Sequence, residues 1–564
     1  MSKAFRLLKP YKKQIVLGPL FKFAEALFEL LLPLLMAKLI DVGIQNSDRN
    51  YILKMGGFML LIALVGTASS FTCQYFASVA GQGYGTDLRH TLFAHVGRFS
   101  FAQMDTWGAA TLTNRITGDV RVVELGLAMA IRLLMRLPVI VICSMGMILW
   151  IYPRLFPLLL LCVAGVSLLL FVIMRKALPS YKKALTALDK ISLTIGEYLS
   201  GVRVIRAFVR NKSEKKRFEE ANQEYKEQYR RFHLTSALSN PLTSLVLNGA
   251  ILLVLYLGGL RVTAGDLTQG ELIACVSYFT QMIMALMVFS ILLPILSRAQ
   301  AGYGRISALL ETEPEELPVS EDAKIVQGKE DEALSFENVS FAYGDSQERV
   351  LGDISFKVKK GQSMGIAGGT GSGKSTLLFL IGRFYERSQG QIHLFGRNIT
   401  SYTETERQGL LSMVLQKAQL IEGTVEDNIR MGQEKGSRED VMQALSLAQA
   451  DFITDIKTKV LRGGENFSGG QKQRMTIARA LFRKPKLLLL DDAASALDYR
   501  TEKRLTEAIK SMDTTVIAAS PRISALKNCD RILVLEKGRM VGLGTHEELI
   551  EGCEVYREIA ESQA

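Results

Sequence analysis

An apolar stretch from Ser363 to Ala367 runs into Gly368, Gly369, Thr370, Gly371, Ser372, Gly373, Lys374 and Ser375, and the residues from Thr376 to Ile381 then read as a helix. Gly, four residues, then Gly-Lys-Ser is the spacing of a phosphate-cradling loop, and a strand before it with a helix after it is the context that chemistry requires. Glycines let successive backbone N–H groups close around phosphate oxygens at a helix start, where the peptide dipoles favour negative charge. Lys374 supplies a cation for β- and γ-oxygens, and Ser375 offers a hydroxyl to a magnesium ion. A plain glycine turn is the alternative, and the strand–loop–helix order argues against it. A second candidate is Asp491, which ends the apolar run Leu487 to Leu490. A buried strand that ends in a carboxylate can hold the water shell of a magnesium ion. Alone this signal is weak, because many buried strands end in Asp.

Between the two lies Asn466-Phe-Ser-Gly-Gly-Gln-Lys-Gln-Arg474. It resembles the signature sequence of the ABC ATPases, with Phe467 where Leu is usual. The resemblance implies that Ser468, Gly469, Gly470 and Gln471, at a helix N-terminus, meet the γ-phosphate of an ATP held by a second subunit. The remaining marks follow in family order. Tyr343 in Phe341-Ala-Tyr-Gly is similar to the aromatic that stacks on adenine. Gln416 is similar to the glutamine that contacts magnesium and water, and Ser495-Ala-Leu-Asp498 to the loop that follows the second acidic motif. The implied cofactors are ATP and magnesium, with Ser375, Gln416 and Asp491 about the metal. Upstream, Gly108–Asp119 and Gly196–Phe208 resemble the two intracellular loops of ABC exporters, which carry short coupling helices.

Two positions break the pattern. The family places Glu directly after the second motif's Asp, as general base for the attacking water; here Asp492 stands there. Shortening the side chain by one methylene draws the carboxylate back by about an ångström, and general-base geometry tolerates little of that. The family also carries a switch His about 29 residues further on; here the segment is Ser520-Pro521-Arg522, with Pro521 in the His position. Proline has no N–H to donate. The two departures predict a site that binds nucleotide and hydrolyses it poorly, beside an intact signature that serves the opposite site. That combination resembles the degenerate-site subunit of bacterial heterodimeric multidrug ABC exporters. A slow homodimeric exporter and a non-transporting, ATP-gated regulatory or sensor subunit are the alternatives.

Such residues need a scaffold, and the chain carries two kinds. Of 564 residues 48% are hydrophobic, and the aliphatic ones crowd the first 300 positions. A membrane span takes about 20 apolar residues. The runs Ile15–Val42, Met55–Val79, Leu133–Ile151, Phe156–Met174, Leu242–Leu260 and Leu272–Leu296 predict six. Lys and Arg gather in the stretches between the second and third spans and between the fourth and fifth. The positive-inside rule therefore puts these, the N-terminus and the cassette in the cytoplasm of a multi-pass protein of the cytoplasmic (inner) membrane. The same placement assigns the net charge of +12 to membrane-flanking loops rather than to nucleic acid. The six cysteines show neither a disulfide framework nor metal-ligand spacing. The expected fold class is a multidomain membrane protein: an all-α six-helix transmembrane domain over 1–312, a linker over 313–333, and an α/β P-loop cassette over 334–564. The expected partners are a second half-transporter, the lipid bilayer, and a hydrophobic or amphipathic substrate.

For that substrate the sequence offers less. Lys22, Glu25 and Glu29 share one helix face, and a charge within a span is a functional candidate by default. They line a cavity for cationic amphiphiles, or they pair with themselves against neighbouring helices. Gln281 with Met282, Met284 and Met287 forms a pliable binding surface or packs in the core.

Overall fold

The computed structural model describes residues 3–315, 331–344, 348–431, 433 and 436–563. Most of the linker expected at 313–333 lies outside the described residues. The chain forms two compact units, one made of residues up to Val96 with Ala110–Glu313, the other of Gly97–Ala109 with the residues from Pro314 on. Gly97–Ala109, numbered within the membrane half, thus belongs to the second unit.

The principal helices of the N-terminal half are α1 Lys12–Lys38, α2 Arg49–Val96, α3 Phe101–Trp107, α4 Val120–Met129, α5 Arg136–Ile151, α6 Phe156–Ala207, α7 Asn211–Ala237, α8 Ser239–Thr263 and α9 Gln269–Glu311; the short helices Lys3–Arg6 and Ala109–Asn114 accompany them. At 1.5 Å per residue, the 52 residues of α6 reach about 78 Å, far more than the roughly 30 Å of a hydrocarbon core. Most of the excess is polar. The lower half of α6 pairs with α7 through Tyr181 against Phe232 (4.9 Å between centroids) and through Lys190 to Glu224 (2.8 Å). Among the described residues, five helical segments are long and apolar enough to cross a membrane. The expected first span does not reach that standard, because α1 carries Lys22, Glu25 and Glu29 through its middle. It remains a 27-residue helix against α2 and α5, with Ala26 and Leu30 buried.

In the second unit, a four-stranded antiparallel sheet is ordered β2 (Leu351–Lys359), β1 (Glu332–Phe341), β4 (Gln389–Leu394), β5 (Arg397–Asn398). A six-stranded sheet is ordered β12 (Arg539–Gly544), β11 (Arg531–Glu536), β3 (Ser363–Ala367), β10 (Thr515–Ala519), β9 (Leu487–Asp491), β6 (Leu411–Val414). The strands β7 (Gly423–Thr424) and β8 (Lys459–Val460) form a small ribbon apart from both. From β11 to β6 the large sheet is parallel, and its strands are near-continuous apolar runs, as burial on both faces demands. β10 lies between β3 and β9 with Ala519 level with Ile366 on one side and Asp491 on the other. The loops after these three strands consequently share one edge, where ligands of open parallel sheets bind. A second apolar core surrounds the helix α11 (Gly469–Phe482) and holds Met475, Ile477 and Leu481.

Candidate functional site

The phosphate loop leaves β3 at Ala367 and enters the helix α10 (Lys374–Ile381) through Gly373. Gly373 has φ +100°, and a Cβ there would meet Leu351 Cδ2 at 2.6 Å, so the helix can start here only with glycine. Lys374 Nζ donates to the carbonyls of Gly368 (2.8 Å) and Gly369 (2.7 Å). Burial lowers its pKa, opposed by the nearby Asp491 and Asp492 carboxylates. Ser375 Oγ donates to Asp491 Oδ1 at 2.9 Å, bringing the two sequence candidates into direct contact. Burial raises the pKa of the Asp491 carboxyl, and the Ser375 hydroxyl works against that rise. Ser372 Oγ is buried with no hydrogen-bond partner among the described residues. An orphaned hydroxyl, a helix start and a cation together suit a polyphosphate with its metal.

Tyr343 packs edge-on against Phe341 and Tyr385, with ring centroids 4.7 and 5.1 Å away, and its hydroxyl lies 3.0 Å from Thr376 Oγ1. Over a third of it stays exposed beside the loop. Gln416 is exposed in the bend after β6, at the same sheet edge as Asp491. Asp492 follows β9 in the left-handed region at φ +46°, its N–H donating to Ala519 O at 2.8 Å. Its carboxylate accepts from Ser520 Oγ at 3.4 Å, and together with Glu502 and Ser520 it lines a narrow cavity of about 90 Å³. Pro521 has its carbonyl taken by Gln563 Nε2 at 2.8 Å, while Ile523 N–H donates to the same glutamine's Oε1 at 2.8 Å. Sequence patterns gave no sign of this clasp.

Ser468 is the N-cap of α11. Its Oγ accepts from Gln471 N–H at 3.3 Å, and Gln471 Oε1 accepts from Ser468 N–H at 2.9 Å. This reciprocal box anchors the helix start and leaves the Gly469 and Gly470 amides at its positive end. A Cβ on Gly470 would stand 2.7 Å from Ala496 O, so glycine lets the signature helix and the Ser495–Asp498 loop approach each other closely. Phe467 meets Phe452 edge-on at 6.2 Å against the α11 core, an apolar place that Leu would also fill.

The remaining sequence candidates are placed as follows. Two short helices stand at the first of the expected loops: α3, Phe101–Trp107, just ahead of Gly108–Asp119 with Gly108 as its C-cap, and Ala109–Asn114 inside that segment. Within the second unit, α3 sets Phe101 against Phe384 at 4.6 Å and accepts the Tyr385 hydroxyl on Asp105 at 2.6 Å. The capping box Ser100–Gln103 was the local signal that could have located it. Gly196–Phe208 holds no separate short helix, because α6 continues through Ala207. Of the charged residues of α1, Lys22 pairs with Glu25 at 2.7 Å, and Glu29 pairs with Arg136 of α5 at 2.7 Å. Met282 is fully buried in the core, whereas Gln281 Oε1 is buried with no partner among the described residues.

Comparison with known proteins agrees with this arrangement. Residues 15–286 match the family described as ABC transporter transmembrane region, and residues 351–495 match the one described as ABC transporter. An uncharacterized ABC transporter ATP-binding protein of Mycobacterium tuberculosis is 33% identical over 567 residues, 99% of this chain and 97% of its own length. YfiB of Bacillus subtilis, described in the same words, is 32% identical over 568 residues, 100% and 98% of the two chains. In fold, the chain is similar to a bacterial Atm1-family ABC exporter with ATP bound (TM-score 0.78, 24% identity, covering 100% of this chain and 99% of that one). The chain belongs to the ABC transporter family. It joins that family's transmembrane region and its ATP-binding cassette in one polypeptide.

Proposed function

We propose that the chain is one half of an ATP-driven exporter whose own ATP site binds nucleotide and turns it over slowly, while its signature completes the competent site of a different half-transporter. The observation that carries this reading is the pair of residues beyond β9 and β10. Asp492 offers a carboxylate one methylene short, and Ser520 is its hydrogen-bond partner. Pro521 offers only a carbonyl, already bonded to Gln563. Neither supplies what a hydrolytic site asks of a base and a γ-phosphate contact. Lys374, Ser375 and Asp491 by contrast stand ready for a nucleotide, and magnesium between Ser375, Gln416 and Asp491 would neutralise the charge of its phosphates.

Fusion of the membrane region to its cassette, together with the exporter fold, supports export over uptake. Long apolar spans support a hydrophobic or amphipathic cargo taken from the membrane or the cytoplasm. Basic residues along α6 and α7 support a cytoplasmic position for those extensions, for the cassette and for the N-terminus in the cytoplasmic membrane. Phosphate release by the chain purified alone in detergent tests the reading. Little turnover is expected. Turnover on the scale of competent exporters, abolished by Lys374→Ala, overturns it.

A further inference from the structure

Along the first unit, α6 and α9 enclose a cleft of about 800 Å³, the scale of a small-molecule site. Its walls are apolar, with Phe171 and Leu178 on α6 facing Phe289 and Leu293 on α9. Each helix carries an interior proline at this level, Pro179 and Pro294. A proline removes a backbone donor and crowds the preceding turn, which bends a helix. The cleft straddles the place where both apolar spans give way to basic sequence, and there Arg298 and Lys182 line it. The Arg298 guanidinium rests over the Tyr181 ring, 5.1 Å from its centroid, a contact that holds the side chain and leaves its N–H donors free. No Asp or Glu lines the cleft, and neither cation has an ion-pair partner among the described residues.

Hydrocarbon walls that end in two uncompensated cations at the depth of a membrane surface recognise one chemistry. We propose that this cleft binds an anionic amphiphile from the cytoplasmic leaflet, its hydrocarbon chain lying between α6 and α9 and its acidic headgroup on Arg298 and Lys182. The site is separate from the Lys22–Glu25–Glu29 face, whose charges are spent on one another and on Arg136. A helix face merely turned towards bulk lipid would have no preference for headgroup charge. The proposal rests on the exporter reading only in placing the cleft at that leaflet, since binding needs no turnover.

The test is photolabelling of the full-length protein, purified from membranes in its assembled form and held in phosphatidylcholine nanodiscs without nucleotide. The probe is a palmitate carrying a diazirine on its chain, with the matching neutral alcohol as control. Label from the palmitate is expected in the peptides covering 167–185 and 286–301, with about tenfold less from the alcohol. Arg298→Gln with Lys182→Gln should lower the palmitate signal by about tenfold and leave ATP binding unchanged, the loss expected for charge-assisted contacts. Leu293→Trp, which fills the cleft and keeps both cations, should block labelling independently. Equal labelling by the alcohol, indifference to these substitutions, or label confined to other helices overturns the proposal. Phosphate release plays no part in this readout, so failure of the slow-site reading leaves the result interpretable.

Discussion

The Ser375 hydroxyl donates to Asp491 Oδ1 at 2.9 Å, across 116 residues of sequence. This bond joins the start of α10 to the end of β9, the two points where a phosphate and its metal would be gripped. It also marks a conflict between function and stability. Asp491 is buried, and its folded-state pKa is raised above the ordinary carboxylate value by that burial. A raised acid is ionised at a cost, so its contribution to stability is best at low pH and falls as pH climbs from about 4 through the folded-state value. Asp491→Asn removes the cost. The nucleotide-free protein should melt slightly higher at neutral pH, by roughly the 2–4 °C that accompanies 1 kcal/mol in a domain of this size, while magnesium-dependent ATP binding is lost. Differential scanning fluorimetry with and without magnesium and ATP checks both halves.

The packing of α3 within the second unit makes a second prediction. Tyr385 donates to Asp105 at 2.6 Å, and Phe101 lies 4.6 Å from Phe384. Tyr385→Phe keeps the ring and removes the bond, worth about 1 kcal/mol. Phe101→Ala removes the aromatic contact itself, worth about another. Tyr385 packs on Tyr343, and Tyr385→Phe keeps that ring contact. ATP affinity should therefore stay within twofold of the parent in both variants, while hydrolysis in the reconstituted assembly loses its response to transported compounds, more so for Phe101→Ala. A large loss of ATP affinity would show that α3 acts on the nucleotide site directly.

A third prediction concerns Asp119, buried between Arg305 (2.9 Å) and Arg115 (2.7 Å) in the first unit. Burial would raise its pKa, and the two guanidinium groups more than reverse that, so the net shift is downward. A lowered acid adds stability that is present above the unfolded-state pKa, near 4, and lost as pH falls through the folded-state value. The parent should therefore lose thermal stability on acidification below about pH 4, and Asp119→Asn should lose less over the same range. At pH 7 the variant should already be weaker, since two arginines are left facing a neutral group; with the Arg305 side chain 45% exposed, solvent screening holds the loss to about 1 kcal/mol. Melting curves between pH 3 and 7 read both effects.

What could be read from the sequence was local. The phosphate loop, the signature and Asp491 are patterns in which a few neighbouring residues carry geometry and chemistry together, and the strands around them are continuous apolar runs. What could not be read depends on partners far along the chain. Glu29 meets Arg136 across 107 residues, so helix spacing alone could not distinguish an open cavity from a closed ion pair. The docking of Asp105 on Tyr385 spans 280 residues, and only the capping box at Ser100 announced the helix that presents it. The cleft beside Arg298 is lined by two helices more than 100 residues apart along the chain, and no sequence window contains both. That Pro521 carries no N–H donor, by contrast, needs no tertiary context to read.

The central claim is that this chain's two motifs serve different ATP sites. Ser468→Arg places a bulky cation at the α11 N-terminus, where a γ-phosphate held by the partner would dock. Asp492→Ala removes a carboxylate that the account holds to be nearly idle. The deciding measurement is ATP hydrolysis by the assembled pair, with the two variants side by side and nucleotide binding confirmed for each. Loss of a working general base costs roughly 10²–10⁴-fold, well beyond assay error. The account predicts near-complete loss for Ser468→Arg and a change within a few-fold for Asp492→Ala. Equal, severe losses in both would contradict it and make Asp492 a working base.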